Sequence, residues 1–205
     1  INIPLVADIH YDYRLAIRAI DSGAAKIRIN PGNMKKNGEL DKVIAKAKEN
    51  GVAIRIGVNS GSFSKNIVDP EKIAGDMVKL ALKYLKVFEK LRFRDLVISL
   101  KASDVPTTVA AYDKMANETD YPLHLGITAA GIPSDGIVRS SVGIGALLLK
   151  GIGDTIRVSL TGDPLEEVRT AKRILSCVGA RRFGPEIIAC PTCGRCGVDL
   201  VAIAE

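Results

Sequence analysis

The sequence Ala53-Ile-Arg-Ile-Gly-Val-Asn59 is a short apolar run that contains one arginine and ends in a polar residue. The pattern recurs as Lys26-Ile-Arg-Ile-Asn30 and as Thr155-Ile-Arg-Val-Ser159. Side chains alternate between the two faces of a β-strand, so each arginine shares a face with the polar residue that ends its run. The isoleucines and valines occupy the other face. These runs therefore predict strands that bury one apolar face and gather arginines on the opposite face.

Runs rich in β-branched residues alternate with segments of helical character along most of the chain. The predicted strands cover residues 3–9, 26–29, 53–58, 96–100, 122–127 and 155–160. The predicted helices cover residues 13–24, 40–50, 70–91, 105–118, 136–150 and 164–178. Strict alternation of apolar strands with helices predicts a parallel sheet covered by helices.

Polar residues at the ends of nearly all these strands favour a barrel over a doubly wound sheet. A barrel gathers polar side chains from many strands at one mouth, whereas a doubly wound sheet concentrates them at one switch point. The strand-end residues are Asp8, His10, Asn30, Asn59, Lys101, Thr128 and Ser159. A complete barrel has eight strands and about 250 residues. The predicted fold class is therefore α/β, a (β/α)8 TIM barrel that lacks its first strands in this chain.

The alternation of helices and strands ends near Gly184, which predicts a domain boundary. Residues 1–183 are expected to form the barrel domain, and residues 184–205 the start of a second domain, with a short strand over 187–189. The chain begins with Ile1 and has no basic signal-peptide region. We therefore expect it to be the interior of a longer protein.

Four basic side chains are expected at the mouth of the barrel: Arg28, Arg55, Lys101 and Arg157. Because a buried charge without a partner is costly, these cations need a counter-charge. Asp8 is the only strand-end acid that can lie opposite them, so an anion from outside the protein is favoured, with internal ion pairs as the alternative. A diphosphate matches the arginine fork and carries enough negative charge.

Both histidines fall on predicted strands. His10 shares a face with Asp8 at the end of the first strand, so we expect it to touch a ligand. His124 lies inside the fifth predicted strand, where a core position and a position in the barrel lumen both remain open.

Cys190, Cys193 and Cys196 form a C-x2-C-x2-C run. Thiolates at this spacing can converge on a zinc ion or an iron–sulfur cluster. Such sites commonly need four ligands, and Cys177 is expected to be a buried apolar residue of its helix. The remaining ligand is therefore expected outside this chain.

The composition narrows the class of partner and the compartment. The formal net charge is +6, but aromatic residues make up 4% of the chain and tryptophan is absent. The bases of a nucleic acid would therefore find few aromatic side chains to stack on, and a small anion fits better. No apolar run approaches the roughly 18 residues that a membrane span needs. Clustered cysteines suit a reducing cytoplasm.

Six segments combine into one specific pattern: Pro4-Leu-Val-Ala-Asp-Ile-His10, Lys26-Ile-Arg-Ile-Asn-Pro-Gly-Asn33, Arg55-Ile-Gly-Val-Asn-Ser-Gly-Ser62, Leu123-His-Leu-Gly-Ile-Thr128, Ile156-Arg-Val-Ser159 and Cys190-Pro-Thr-Cys193. In this pattern the chain resembles the 4-hydroxy-3-methylbut-2-enyl diphosphate synthases, the IspG or GcpE family of isoprenoid biosynthesis. The resemblance runs over essentially the whole chain.

The resemblance implies an iron–sulfur oxidoreductase. Its barrel would bind 2-C-methyl-D-erythritol 2,4-cyclodiphosphate, and a 4Fe-4S cluster, held in part by Cys190 and Cys193, would open the ring and remove a hydroxyl as water. Ferredoxin or flavodoxin would supply two electrons, and in a homodimer the cluster of one subunit would cover the other subunit's barrel. By position, the residues that hold the diphosphate would be Arg28, Arg55, Lys101 and Ser159, with Arg157 beside them; the residues that contact the rest of the substrate would be His10 and Asn59.

The chain departs from the family pattern at two positions. Gly126-Ile-Thr-Ala-Ala-Gly131 has Ala129 where the family has glutamate, which removes a candidate proton donor near the reacting hydroxyl. Cys196 is an extra thiol, because the family's third cysteine and its glutamate ligand come later in the chain. An inactive variant is therefore one alternative. The others are a non-redox barrel enzyme with structural zinc and a binding module without turnover.

Overall fold

A computed structural model describes residues 2–34, 38–62 and 69–204 of the chain. The strands are β1 Val6–Asp8, β2 Lys26–Ile29, β3 Ala53–Asn59, β4 Leu96–Lys101, β5 His124–Leu125 and β6 Thr155–Ile156. The helices are α1 Tyr13–Asp21, α2 Glu39–Glu49, α3 Pro70–Lys90, α4 Val105–Ala116, α5 Pro133–Leu149, α6 Pro164–Cys177 and α7 Leu200–Ala204. Strands and helices alternate from β1 to α6, as the sequence pattern predicts.

The strands pair in parallel and in chain order. β1 to β4 are hydrogen-bonded neighbours, and β5 pairs with β6. A parallel bridge between Ile98 and Leu123 joins the two groups. The register places Asp8 opposite Arg28 and Arg28 opposite Arg55. Parallel strands in chain order, each followed by a helix, are the wall of a (β/α) barrel.

The apolar face of the strands packs against the helices. Ile27, Ile54, Ile56 and Ile98 are fully buried in one continuous core. These residues alternate along each strand with the polar residues of the opposite face, which is the period of two that the arginine-containing runs predict.

Aspartates fix the first turns of four helices. Asp12, Asp69, Asp104 and Asp163 each accept a hydrogen bond from a backbone N–H in the first turn of α1, α3, α4 and α6. The side-chain oxygen satisfies a donor that has no partner within the helix. The caps set where each helix starts after its strand and so hold the strand ends in place.

Several elements differ from the predictions. The strand predicted over residues 187–189 is wrong: Ile187 and Ile188 are exposed and no described strand runs beside them, and a strand needs a partner for its backbone groups. Helix α7 was not predicted. Helix α5 begins three residues earlier than the predicted start at 136, because Pro133 occupies its first turn.

Tyr112 of α4 ties the helix layer to the junction between β4 and β5. Its buried hydroxyl accepts a hydrogen bond from the Leu100 N–H at 3.0 Å and donates one to the His124 carbonyl oxygen. Burial raises the pKa of Tyr112 to about 12, so the hydroxyl keeps its proton.

Tyr112→Phe is expected to lower the free energy of unfolding by about 1–3 kcal/mol, because two buried backbone groups lose their partner. Urea unfolding followed by circular dichroism measures the change. Tyr11→Phe is the matched control, since Tyr11 is exposed and should give no change. Equal stability of the Tyr112 and Tyr11 variants would contradict this role.

Candidate functional site

A polar pocket lies at the carboxyl ends of the strands. Its lining residues come from all six strands or the residues just after them: Asp8, His10, Arg28, Arg55, Asn59, Ser99, Lys101, Thr128, Arg157 and Ser159. The volume is about 150 Å³. This is below the roughly 300–1,000 Å³ of pockets that bury drug-sized ligands, so the pocket suits a compact group. It contains all seven non-cysteine residues that the sequence singled out as site residues.

Arg28 is the one guanidinium of the pocket that has a carboxylate partner among the described residues. Its Nη1 lies 3.1 Å from Oδ1 of Asp8. The side chain of Arg28 is 12% exposed and that of Asp8 is 37% exposed. Oδ2 of the same carboxylate lies 4.0 Å from Nε2 of His10. Asp8 therefore compensates a single arginine and orients it towards the pocket.

Arg55, Lys101 and Arg157 make no ion pair within the described part of the chain. Burial, and after it repulsion from Arg55, Arg157 and Arg28, lower the pKa of Lys101 to about 7, with Asp8 opposing the shift. Burial also lowers the pKa of Arg55, again against a contribution from Asp8. The pocket thus holds more positive charge than its own carboxylate can balance.

The remaining lining residues supply neutral hydrogen-bonding groups around these cations. Asn59 is the last residue of β3. Thr128 lies three residues after the end of β5, and Ser159 lies three residues after the end of β6. Ser99 was not predicted as a site residue, although its spacing of two from Lys101 on β4 is the signal that places both on one face. Asn30 does not line the pocket, because its side chain accepts a hydrogen bond from the Gly32 N–H.

Glycines leave the space that two of the cations occupy. A Cβ added at Gly57 would lie 2.7 Å from Nη2 of Arg28. A Cβ added at Gly126 would lie 3.1 Å from Nζ of Lys101 and 2.6 Å from the carbonyl oxygen of Arg157. The Arg28 side chain therefore crosses β3 at Gly57, and the Lys101 side chain crosses β5 at Gly126.

Gly57→Ala is expected to displace the guanidinium of Arg28 and lower the affinity for a diphosphate by about tenfold, the value of one charge-assisted hydrogen bond. The clash is with the mobile end of a side chain, so folding should survive. Calorimetric titration with pyrophosphate measures the affinity. Gly61→Ala is the matched control, because a Cβ there meets nothing within 4 Å. Equal affinities of the two variants would show that the gap at Gly57 is unimportant.

His124 lies in the lumen below the pocket. Its side chain is 5% exposed, and Nδ1 lies 2.8 Å from Oγ1 of Thr155. Burial, and after it repulsion from Lys101 and Arg55, lower the pKa of His124 to about 2. The imidazole is therefore neutral.

Ala129, which follows the pocket residue Thr128, is exposed and has φ of 50°. This left-handed conformation is uncommon for residues other than glycine, asparagine and aspartate. The short methyl side chain offers no acid or base at this point of the rim.

The cysteines are all free and exposed. Cys177, the last residue of α6, is therefore not the buried residue predicted from the sequence. No group of three metal-ligating side chains comes together within residues 2–34, 38–62 and 69–204. The described backbone contact within the C-x2-C-x2-C run is a hydrogen bond from the Cys196 N–H to the Cys193 carbonyl oxygen.

None of the described helices is long and apolar enough to cross a membrane.

Comparison with known families and proteins shows the same relationship over the whole chain. Residues 1–172 match the family model of the GcpE TIM-barrel domain. A 4-hydroxy-3-methylbut-2-en-1-yl diphosphate synthase (flavodoxin) of Caldanaerobacter subterraneus is 54% identical over 100% of this chain and 58% of its own length. Proteins of the same name from Anoxybacillus flavithermus and Clostridium perfringens are 53% and 51% identical, with 57% and 59% of their lengths covered. The chain thus spans less than two thirds of these relatives.

A solved structure shares the fold alone. Dihydropteroate synthase of Xanthomonas albilineans aligns with a TM-score of 0.57 at 15% sequence identity, over 88% of this chain and 66% of the enzyme. Together with the family match, this similarity confirms the predicted barrel.

Proposed function

This chain belongs to the GcpE family, and we propose that it forms the substrate-binding barrel of a 4-hydroxy-3-methylbut-2-en-1-yl diphosphate synthase. The reaction is the reductive ring opening and dehydroxylation of 2-C-methyl-D-erythritol 2,4-cyclodiphosphate in isoprenoid biosynthesis. Counted on the neutral acids, it consumes two electrons and two protons and releases one water.

The observation that carries this proposal is the charge imbalance of the pocket. Arg28, Arg55, Lys101 and Arg157 line it together with a single carboxylate, Asp8. An anion with two phosphates would neutralise the excess charge and accept paired hydrogen bonds from the arginine forks. The name of the relatives matches this requirement, because their product is a diphosphate.

The positions of the lining residues suggest their roles. Arg28, Arg55, Lys101 and Arg157 hold the diphosphate by charge, and Ser159 donates its hydroxyl. His10 and Asn59 lie on the same face at the rim and contact the carbon skeleton and its hydroxyls. Thr128 and Ser99 add hydroxyls to the same pocket.

Cys190 and Cys193 would supply two thiolates to a 4Fe-4S cluster, whose chemistry when bound is one-electron transfer to the substrate. Thiolates are the ligands that such clusters use, and both thiols are free and accessible. Since no complete ligand set lies in the described residues, further ligands come from other parts of the protein. Residues 184–205 would then begin the cluster domain and residues 1–183 complete the barrel portion.

The electron donor and the assembly are part of the same proposal. The name of the relatives specifies flavodoxin, and ferredoxin is the alternative donor. A homodimer would bring the cluster of one subunit over the barrel of another. The free thiols suit a reducing cytoplasm.

Metal analysis distinguishes this proposal from a non-redox barrel with structural zinc, which the family relationship does not favour. Full-length protein that is brown after anaerobic purification and bleaches on reduction supports the cluster. Colourless protein with stoichiometric zinc would remove the redox assignment.

Binding of the cyclodiphosphate is expected to weaken as pH rises through about 7, by about tenfold for each further pH unit. The pKa of Lys101 in the empty pocket is lowered, so the amine loses its charge in this range, and binding must take up a proton. The charge of the ligand is constant over the same range. Calorimetry at a series of pH values measures the affinity, and Lys101→Met should bind weakly at every pH. A wild-type affinity that does not change with pH would contradict this account of Lys101.

A further inference from the structure

Two polar groups, the Lys101 ammonium that lines the pocket and Nε2 of the buried His124, have no hydrogen-bond partner among the described residues. Lys101 is 9% exposed, and its ammonium forms neither an ion pair nor a hydrogen bond. Nε2 of His124 is enclosed by protein and also has no partner. Buried polar groups are nearly always hydrogen-bonded, so the unpartnered Nε2 of His124 needs an explanation.

The strand register places Lys101 and His124 on the same face of neighbouring strands. The bridge between Ile98 and Leu123 aligns Lys101 of β4 with Gly126 of β5. Nζ of Lys101 lies 3.1 Å from the position that a Cβ of Gly126 would take. His124 is two residues earlier on the same face of the same strand, which is a separation of about 7 Å along the backbone.

The charges around His124 favour one of its two neutral forms. Nδ1 lies 2.8 Å from Oγ1 of Thr155. Lys101, Arg55, Lys26 and Arg157 surround the ring with positive charge and keep it unprotonated. The favoured form therefore has the proton on Nδ1, donated to Thr155, and the lone pair of Nε2 towards the cations.

We propose that His124 is the positioning residue of Lys101, with Nε2 accepting one N–H of the Lys101 ammonium when an anion occupies the pocket. This inference rests on the proposed binding of a diphosphate. A carboxylate at the position of His124 would neutralise the positive charge of Lys101, which the anion needs for binding. A neutral imidazole stabilises the buried ammonium and leaves its full charge available for the ligand.

The other titratable or charged groups that face this pair come from every neighbouring element: Asp8 and His10 of β1 and the residues after it, Lys26 and Arg28 of β2, Arg55 of β3, Tyr112 of α4 and Arg157 after β6. Asp8 is the single acid in this set, and it is paired with Arg28. The pH dependence of the binding affinity is compared between the wild type and Lys101→Met. Because this variant removes the Lys101 amine alone, the part of the pH dependence that it loses belongs to Lys101.

Two substitutions of His124 distinguish the roles of its two ring nitrogens. Asparagine places an amide near the position of Nδ1, and glutamine places one near the position of Nε2. The affinity for the cyclodiphosphate is measured by calorimetry as a function of pH for the wild type, His124→Asn and His124→Gln. We expect His124→Asn to weaken binding by about tenfold, the value of one hydrogen bond to a charged group, and to lower the apparent pKa of binding. His124→Gln should keep the affinity and the apparent pKa of binding near the wild-type values.

Each outcome bears on one claim. If the wild type does not bind the cyclodiphosphate, the proposed function fails. If the wild type binds and His124→Asn has the same affinity and apparent pKa, the positioning role is overturned. It is also overturned if both variants lose affinity equally without a change in apparent pKa, because that result indicates a structural role.

Thr155→Val provides a second test if His124→Asn fails to fold. Valine has a similar shape but cannot accept a hydrogen bond from the N–H of Nδ1. The preferred form of the imidazole therefore loses its partner. We expect weaker binding and a lower apparent pKa in this variant. Wild-type values for both quantities would overturn the proposal.

Discussion

Arg55→Ala is expected to lower the affinity for 2-C-methyl-D-erythritol 2,4-cyclodiphosphate by about a hundredfold or more. Arg55 lines the pocket and makes no ion pair among the described residues, so its hydrogen-bonding capacity is free for a ligand. Two charge-assisted hydrogen bonds from one guanidinium are worth about 3–6 kcal/mol together. Removal of the arginine also relieves repulsion with Arg28 and Arg157, so the fold should remain stable.

Calorimetry measures this loss, and two variants serve as controls. Arg55→Lys keeps the charge without the planar fork, so it should bind with intermediate affinity. Arg14→Ala removes an exposed arginine that pairs with Asp12 away from the pocket, and it should bind like the wild type. An unchanged affinity of Arg55→Ala would remove this residue from the site.

The 205-residue chain is expected to bind the cyclodiphosphate without turning it over, even after anaerobic treatment with iron, sulfide and a reductant. By the resemblance, Ala129 stands where the family has glutamate, and its methyl side chain has no proton to give. General acid–base catalysis contributes about 10²–10⁴-fold to rates. In addition, the described thiols do not assemble a complete ligand set.

The assay is consumption of the cyclodiphosphate under anaerobic reducing conditions, with the Anoxybacillus flavithermus relative as the positive control. Binding of the same ligand, measured beside it, shows that the barrel is folded. Turnover by this chain above the reductant blank would refute the prediction. Such a result would mean that neither Ala129 nor the thiol set limits the reaction.

The period of two in the strands was enough to predict the face on which the cations lie. Arg28, Arg55 and Arg157 each follow from a local pattern, and parallel strands bring the ends of such patterns to one edge of the sheet. The barrel, too, follows from this local information, since alternation of strands and helices leaves few arrangements open.

The ion pair between Asp8 and Arg28 depends on register, which the sequence does not contain in a readable form. The sequence places Asp8 near several arginines, but the pairing of β1 with β2 selects Arg28. The same applies to Gly57, because its importance depends on the neighbouring strand's side chain crossing it. Contacts between elements decide these details.

The cysteine-containing segment was the least predictable part of the chain. The spacing of Cys190, Cys193 and Cys196 indicates a common metal, yet the thiols are exposed and do not gather with other ligands in the described residues. A ligand set is a tertiary property that forms together with the metal. Similarly, the apolar run at 187–189 has strand character without a partner strand.

The measurement that tests the central claim most directly is a crystal structure of the chain with bound 2-C-methyl-D-erythritol 2,4-cyclodiphosphate. We expect phosphate oxygens within hydrogen-bond distance of Arg55, Lys101 and Arg157, with Arg28 still paired to Asp8. A ligand bound elsewhere, or a pocket in which each of these cations contacts its own carboxylate, would contradict the claim that an external diphosphate balances their charge.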